Sequence, residues 1–192
     1  MVLAAASLTG PVMAQGIGGS DGEAFLMALK ENEPRKALDL IEVGGSRVAN
    51  YRGRDGDAAL HIVTRARSNN WVGYLLQQGA DPNIAGTNGD TPLIIAARLG
   101  FTEGAARLIG KKADLNKGNR FGETPLIVAV QQRQVPILRM LLAAGADPDK
   151  RDHAAGYSAR EYAKRDSRNP ELLRMIETIK STKKKVLSGP KL

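Results

Sequence analysis

The chain has 192 residues, enough for one domain or one continuous stack of repeats, and 42% of them are apolar while only 4% are aromatic, so any core must be aliphatic. The absence of Cys excludes disulfides, thiol nucleophiles and thiolate metal sites, and His61 and His153 alone leave almost nothing for a histidine-based metal centre. Of the net charge of +8, five charges are Lys180, Lys183, Lys184, Lys185 and Lys191, so the basic balance mostly reports one segment rather than a basic fold.

Residues 1–14 differ from the rest. Met1 to Leu8 is an uncharged Ala-rich run, Thr9-Gly10-Pro11 breaks any helix, and Val12 and Ala14 fit the small-residue places before a signal-peptidase cut at Gln15. A basic region ahead of the apolar run is missing, since no Lys or Arg precedes Lys30. Export to a periplasm or beyond is the expectation, with a cytoplasmic N-terminus as the alternative. The run is too short to span a bilayer, which takes about 20 residues. Residues 15–22 read as a Gly-rich linker.

From residue 23 the chain divides into units of 23–52, 53–85, 86–118, 119–151 and 152–179. The first carries Ala24-Phe25-Leu26, Ala37 and Leu40-Ile41, with a loop expected near Gly44-Gly45. The next three each predict a short helix followed by a longer one, because apolar residues fall at i, i+3, i+4. First helices show Leu60/Val63/Thr64, Leu93/Ala96/Ala97 and Leu126/Ala129/Val130. Second helices show Val72/Leu75/Leu76, Ala105/Leu108/Ile109, Leu138/Leu141/Leu142 and, in the last unit, Leu172/Met175/Ile176. Thr91 and Thr124 are predicted N-caps, each followed by a Pro that needs no N–H partner. Gly79 and Gly145 stand where a second helix should end in a left-handed residue, and Lys112 occupies the same place in the middle unit. Residues 180–192 read as a basic, disordered tail.

Two markers share one period. Asn88-Gly89-Asp90-Thr91-Pro92-Leu93 returns 33 residues later as Phe121-Gly122-Glu123-Thr124-Pro125-Leu126. Gly79-Ala80-Asp81-Pro82-Asn83 returns as Lys112-Ala113-Asp114-Leu115-Asn116 and as Gly145-Ala146-Asp147-Pro148-Asp149 at the same spacing. A single helix pair cannot bury its own apolar face, so such units must stack.

These residues resemble the ankyrin repeat. Its pattern of Gly, a variable residue, Thr-Pro-Leu, then Ala-Ala and Gly-Ala-Asp-Pro-Asn is matched closely by residues 89–97 and 79–83, and nearly as well by 122–149. The unit from 53 keeps Leu60-His61 but has Ala58-Ala59 for Thr-Pro. The resemblance implies an all-α solenoid of helix–turn–helix repeats, about three full repeats with N- and C-terminal capping units. It also implies that His61 is a structural bridge between turns, its usual place in the other units being taken by Ile94 and Ile127.

No positioned nucleophile, base or metal set emerges, so no enzyme activity and no cofactor are expected. The resemblance implies a concave surface of turn tips and first helices that binds a protein. Mapped here, the tips are Arg54, Asp57, Thr87, Asn88, Asp90, Arg120, Phe121 and Glu123, and the helix positions are Arg65, Arg98, Leu99, Gln131, Gln132 and Arg165. Arg65 and Arg98 stack in adjacent rungs, and guanidinium groups in a row suit carboxylates. Asp57, Asp90 and Glu123 lie close enough in sequence to neutralise them. The expected partner is an acidic protein, bound by a monomer. A polyanion binder using the Arg row and the Lys tail is the alternative, and nucleic acid is disfavoured because acids interleave at every turn.

Overall fold

A computed structural model describes residues 20–187, with side chains placed for residues 21–179. Its elements run α1 (Ser20–Lys30), α2 (Pro34–Ala49), α3 (Ala59–Arg65), α4 (Asn69–Gln77), α5 (Pro92–Leu99), α6 (Thr102–Gly110), α7 (Pro125–Gln131), α8 (Val135–Ala144), α9 (Ala159–Arg165) and α10 (Pro170–Leu187). A single 3-10 turn, Thr87–Gly89, precedes α5, and no strand occurs among the described residues. The all-helical solenoid expected from the period is therefore what forms. No helix among the described residues is long and apolar enough to cross a membrane.

The helices make two layers. First helices stack as α1 on α3, α3 on α5, α5 on α7 and α7 on α9, while α4, α6, α8 and α10 stack behind them. Leu60, Leu93 and Leu126 are fully buried, and so are Ala96, Ala97, Ala129 and Ala159, which let neighbouring helices approach closely. One apolar cluster runs from Phe25 to Ile176 through every unit. The stack is continuous, and each unit completes the core of the one before it.

Local chemistry sets where the helices start and stop. Thr91 Oγ1 accepts from the Ile94 N–H at 3.3 Å and Thr124 Oγ1 from the Ile127 N–H at 3.2 Å, as caps should. Ser158 and Glu161 form a reciprocal capping box on α9. Gly79 (φ 83°) and Gly145 (φ 105°) are left-handed after their helices, and so is Lys112 (φ 60°). The loop expected at Gly44-Gly45 is instead a kink inside α2. Gly45 takes φ 53°, ψ −140°, a combination open only to glycine, and helical backbone resumes at once through Ala49. The Lys-rich segment also departs from expectation, since α10 continues as helix through Leu187. Residues 1–19 and 188–192, with the expected signal-peptide cut, lie outside the described residues.

A polar ladder binds the loops after the second helices. Asn50, Asn83 and Asn116 each accept, through Oδ1, the backbone N–H of Asp81, Asp114 and Asp147 in the following unit, at 2.7, 2.6 and 2.8 Å. Each of those Asp residues in turn accepts from the N–H two residues on. Lys117 and Lys150 reach back to the carbonyls of Asn83 and Asn116, both at 2.8 Å. Asn50 thus puts the degenerate first unit in register with the rest.

Candidate functional site

The turn tips are built by one repeated hydrogen-bond scheme. Gly53 N–H donates to the Asp57 carbonyl, Gly86 N–H to that of Asp90, and Asn119 N–H to that of Glu123, at 2.8 to 3.1 Å. Gly56, Gly89 and Gly122 close each turn at φ 83°, 76° and 77°, angles that strain any side chain. Neighbouring tips are joined directly. Arg120 N–H donates to the Asn88 carbonyl at 2.9 Å, His153 N–H to that of Phe121 at 2.7 Å, and Thr87 Oγ1 to that of Asp55 at 2.5 Å. The tips therefore form a fixed comb in which residues 54, 87, 120 and 153 succeed one another.

Beneath the comb lie carboxylates that the sequence placed at its surface. Asp57 is 6% and Asp90 7% exposed, so neither offers a contact face. Asp57 pairs with Arg65 and accepts from the Thr87 N–H at 3.1 Å. Burial pushes its carboxyl upward, but Arg65 and Thr87 outweigh burial and hold it below the usual range. Asp90 takes both terminal nitrogens of Arg98, at 2.5 and 3.2 Å, and the Asn119 amide at 3.0 Å. Glu123 stands 3.9 Å from Arg98 and accepts from Asn119 at 2.8 Å. Asp90 raises the Arg98 pKa further, so this guanidinium stays charged. Arg65 and Arg98 are thus anchored cations over buried partners, and reversing their charge would disturb folding as well as binding.

The turns are fitted together in two ways. Between the units from 53 and 86, His61 is wholly buried. Its Nδ1 accepts from the Ala58 N–H at 2.9 Å, so Nε2 carries the proton toward the carbonyls of Ile84 and Asp90, at 3.1 and 3.2 Å. Burial holds its pKa below the ordinary value, which keeps the ring neutral. The ring fills the space beside Gly86, where an added Cβ would come within 2.8 Å of it. One unit on, Ile94 replaces the ring and Asn119 replaces Gly86, filling the same corner with an amide that bonds Asp90 and the turn N–H groups of Phe121 and Glu123. A further unit on, Asp152 takes the place and accepts from the Tyr162 hydroxyl at 2.6 Å. Burial and this carboxylate push the Tyr162 pKa up to about 12. His61 is a structural bridge.

Residues 60–152 match the family described as ankyrin repeats, in three copies. The chain is an ankyrin-repeat protein. No curated protein matches it. The matched stretch runs from α3 through the loop after α8 and leaves α1, α2, α9 and α10 outside, where Thr-Pro-Leu is absent and the ends of the ankyrin stack are closed by other residues.

The remaining candidates divide by availability. Arg54, Arg120, Thr87, Asn88, Gln131 and Gln132 are exposed. Arg54 and Arg120 make no side-chain hydrogen bond or ion pair among the described residues. Phe121 is 52% and Leu99 38% exposed, two of the five large apolar side chains left open on the described surface. Arg165 stacks on the Tyr157 ring at 4.3 Å, an engaged rather than a free cation. One participant escaped the sequence reading. Lys30 pairs with Asp55 at 2.9 Å and heads the same row as Arg65. Its equivalence shows only in the backbone, where Asn32 and Arg67, left-handed at φ 57° and 53°, mark turns 35 residues apart and offset the first unit from the 33-residue step.

Proposed function

We propose that this ankyrin-repeat protein is a non-enzymatic, monomeric scaffold whose concave face holds an acidic segment of another protein. Ankyrin repeats generally mediate protein–protein interaction, and the acidic character of the partner rests on one observation. Arg54 and Arg120 are exposed and unpaired among the described residues, two units apart on the comb of tips, with Phe121 exposed beside Arg120. At helix spacings of 8–10 Å the two guanidinium groups stand roughly 16–20 Å apart. An extended acidic segment of about six residues covers that distance. Phe121 supplies an apolar anchor between hydrophilic neighbours. Export is part of the same proposal and rests on Val12 and Ala14. Amino-terminal sequencing of the native protein tests it, a start at Gln15 being the expected result and an intact Met1 the contrary one.

The binding test is crosslinking in the native compartment, followed by affinity measurements on the captured partner. Arg54→Glu with Arg120→Glu is expected to weaken binding at least tenfold with an unchanged melting point, since like charges meeting in an interface cost several kcal/mol. Undiminished affinity in that variant would end the acidic-partner reading. Arg65 and Arg98 are unsuitable for the same test because their carboxylate partners are buried.

A further inference from the structure

The two last helices of the outer layer begin alike and end differently. In α8 (Val135–Ala144) and α10 (Pro170–Leu187) a proline stands in the first turn, Pro136 and Pro170, and the helices pack against each other. Yet α8 has 10 residues and α10 has 18. With their starts aligned, α10 passes the end of α8 by about eight residues, or roughly 12 Å at 1.5 Å per residue. Ile176 is buried and Ile179 packs against the core, so the layer accounts for α10 up to that point. The overhang is Lys180-Ser181-Thr182-Lys183-Lys184-Lys185-Val186-Leu187, four cations and no acid, ending in two aliphatic residues.

Helix chemistry alone needs less than this. One or two cations near a helix C-terminus satisfy the macrodipole, whose influence fades beyond the last turn. Four lysines over two turns concentrate charge on the stretch of helix that outruns α8. The residue types select the partner. Lysine is a compact, strongly hydrated charge rather than a bidentate clamp on one phosphate, and clusters of such charges are drawn to an anionic lipid surface. No aromatic residue is present in the overhang to stack on bases. Val186-Leu187 adds the apolar foothold that a polybasic segment needs at a lipid interface.

We infer that the overhanging end of α10 is a docking element for an anionic lipid surface, separate from the concave groove and leaving that groove free. A lysine near such a surface raises partitioning about fivefold, so four of them give a gain on the order of several hundred-fold if additive.

Sedimentation of the full chain with phosphatidylcholine vesicles, with and without 30 mol% phosphatidylserine, is the test. Binding is expected only with phosphatidylserine, and it should fall steeply when salt rises from about 50 to 500 mM as the Debye length shrinks. Lys180→Gln, Lys183→Gln, Lys184→Gln and Lys185→Gln together should lower partitioning at least a hundredfold. The corresponding Lys→Arg set should retain it. Val186→Ser with Leu187→Ser should weaken it by a smaller factor, with the salt dependence intact. Equal binding to both vesicle types, or salt-independent binding, overturns the proposal without recourse to any variant. So does a wild-type chain that binds a DNA duplex and ignores vesicles, which would make nucleic acid the partner of the overhang.

Discussion

Replacing Gly86 by Asn forces a Cβ to within 2.5 Å of Asp57 Oδ1 and 2.8 Å of the His61 ring. Gly86 sits at φ −94°, open to any residue, so the cost is contact rather than backbone strain. The ring has nowhere to go, being fully buried and bonded at both nitrogens. Overpacking of this kind costs about 1–3 kcal/mol, and displacing one ring hydrogen bond adds about 1 kcal/mol. A total near 3 kcal/mol lowers the melting point by roughly 6–12 °C in a stack of this size. His61→Ile alone leaves the buried Ala58 N–H without its acceptor, which costs about 1–3 kcal/mol. In the double variant the introduced amide finds the space that the ring has left. It can reach Asp57 as Asn119 reaches Asp90 at 3.0 Å. The double variant should therefore be more stable than the sum of the two single losses by at least 1 kcal/mol.

Thermal and urea melts of the four proteins give the coupling directly. Additivity within about 0.5 kcal/mol would refute the steric argument, because residues that share a space must couple. A second readout is pH. Burial holds the His61 pKa below 6.5, so the unfolded chain takes up a proton before the folded one does. Stability from this group is whole above about pH 6.5 and is lost as the pH falls through the folded pKa. His61→Ile should flatten that slope.

Lys112 is left-handed at φ 60° where Gly79 and Gly145 serve the neighbouring units, so Lys112→Gly should raise stability by about 1 kcal/mol and Gly145→Ala lower it, both read from melting points. Thr64 is fully buried and its hydroxyl has no partner among the described residues, while Ala97 and Val130 hold the equivalent places. Thr64→Val should stabilise by about 1 kcal/mol in a urea titration, and a loss would show that the hydroxyl is satisfied. Asp57 titrates below the usual carboxylate range when folded, so its contribution is present above the unfolded pKa and is lost as the pH falls through the folded one. Arg65→Ala removes the main opposition to burial, and acid unfolding should then begin at a higher pH.

The repeat was legible because it depends on backbone needs that only certain residues meet. Thr-Pro starts a helix, glycine turns the chain left-handed, and both recur every 33 residues. Even the exception at Lys112 could be read, since position alone dictates its backbone angle. What escaped were contacts whose register crosses between units. The Asn50, Asn83 and Asn116 ladder joins residues 31 apart, and each asparagine looks like an ordinary loop residue on its own. Gly86 looks like a turn glycine, but its role is to leave room for a ring 25 positions away. The pairs Asp57–Arg65 and Asp90–Arg98 share an eight-residue spacing that the sequence does display. Proximity was apparent from it, but the burial of the acids was not, because burial is decided by the next turn lying across them. Composition alone points to disorder beyond residue 179, whereas helix continues through Leu187.

Those buried acids change what Arg65 and Arg98 can do. A partner carboxylate approaching Arg98 meets a guanidinium already held by Asp90 through both terminal nitrogens, with Glu123 at 3.9 Å. Drawing it away would leave Asp90 buried and unpaired, which costs about 3–5 kcal/mol and exceeds what an exposed new pair returns. Arg65 over Asp57 is bound by the same logic. The helix-borne arginines can therefore share their outward edges with a partner but cannot be captured by it. On the proposed reading, arginines held this rigidly would favour one orientation of the partner at little entropic cost. On the proposed reading, attraction at a distance falls to Arg54 and Arg120, which are exposed and make no ion pair among the described residues. Electrostatic steering acts mainly on association rate and is screened by salt. Raising the salt concentration should consequently slow association with an acidic partner much more than it speeds dissociation, because the charges that steer stand on the tips and the charges that orient are already paired.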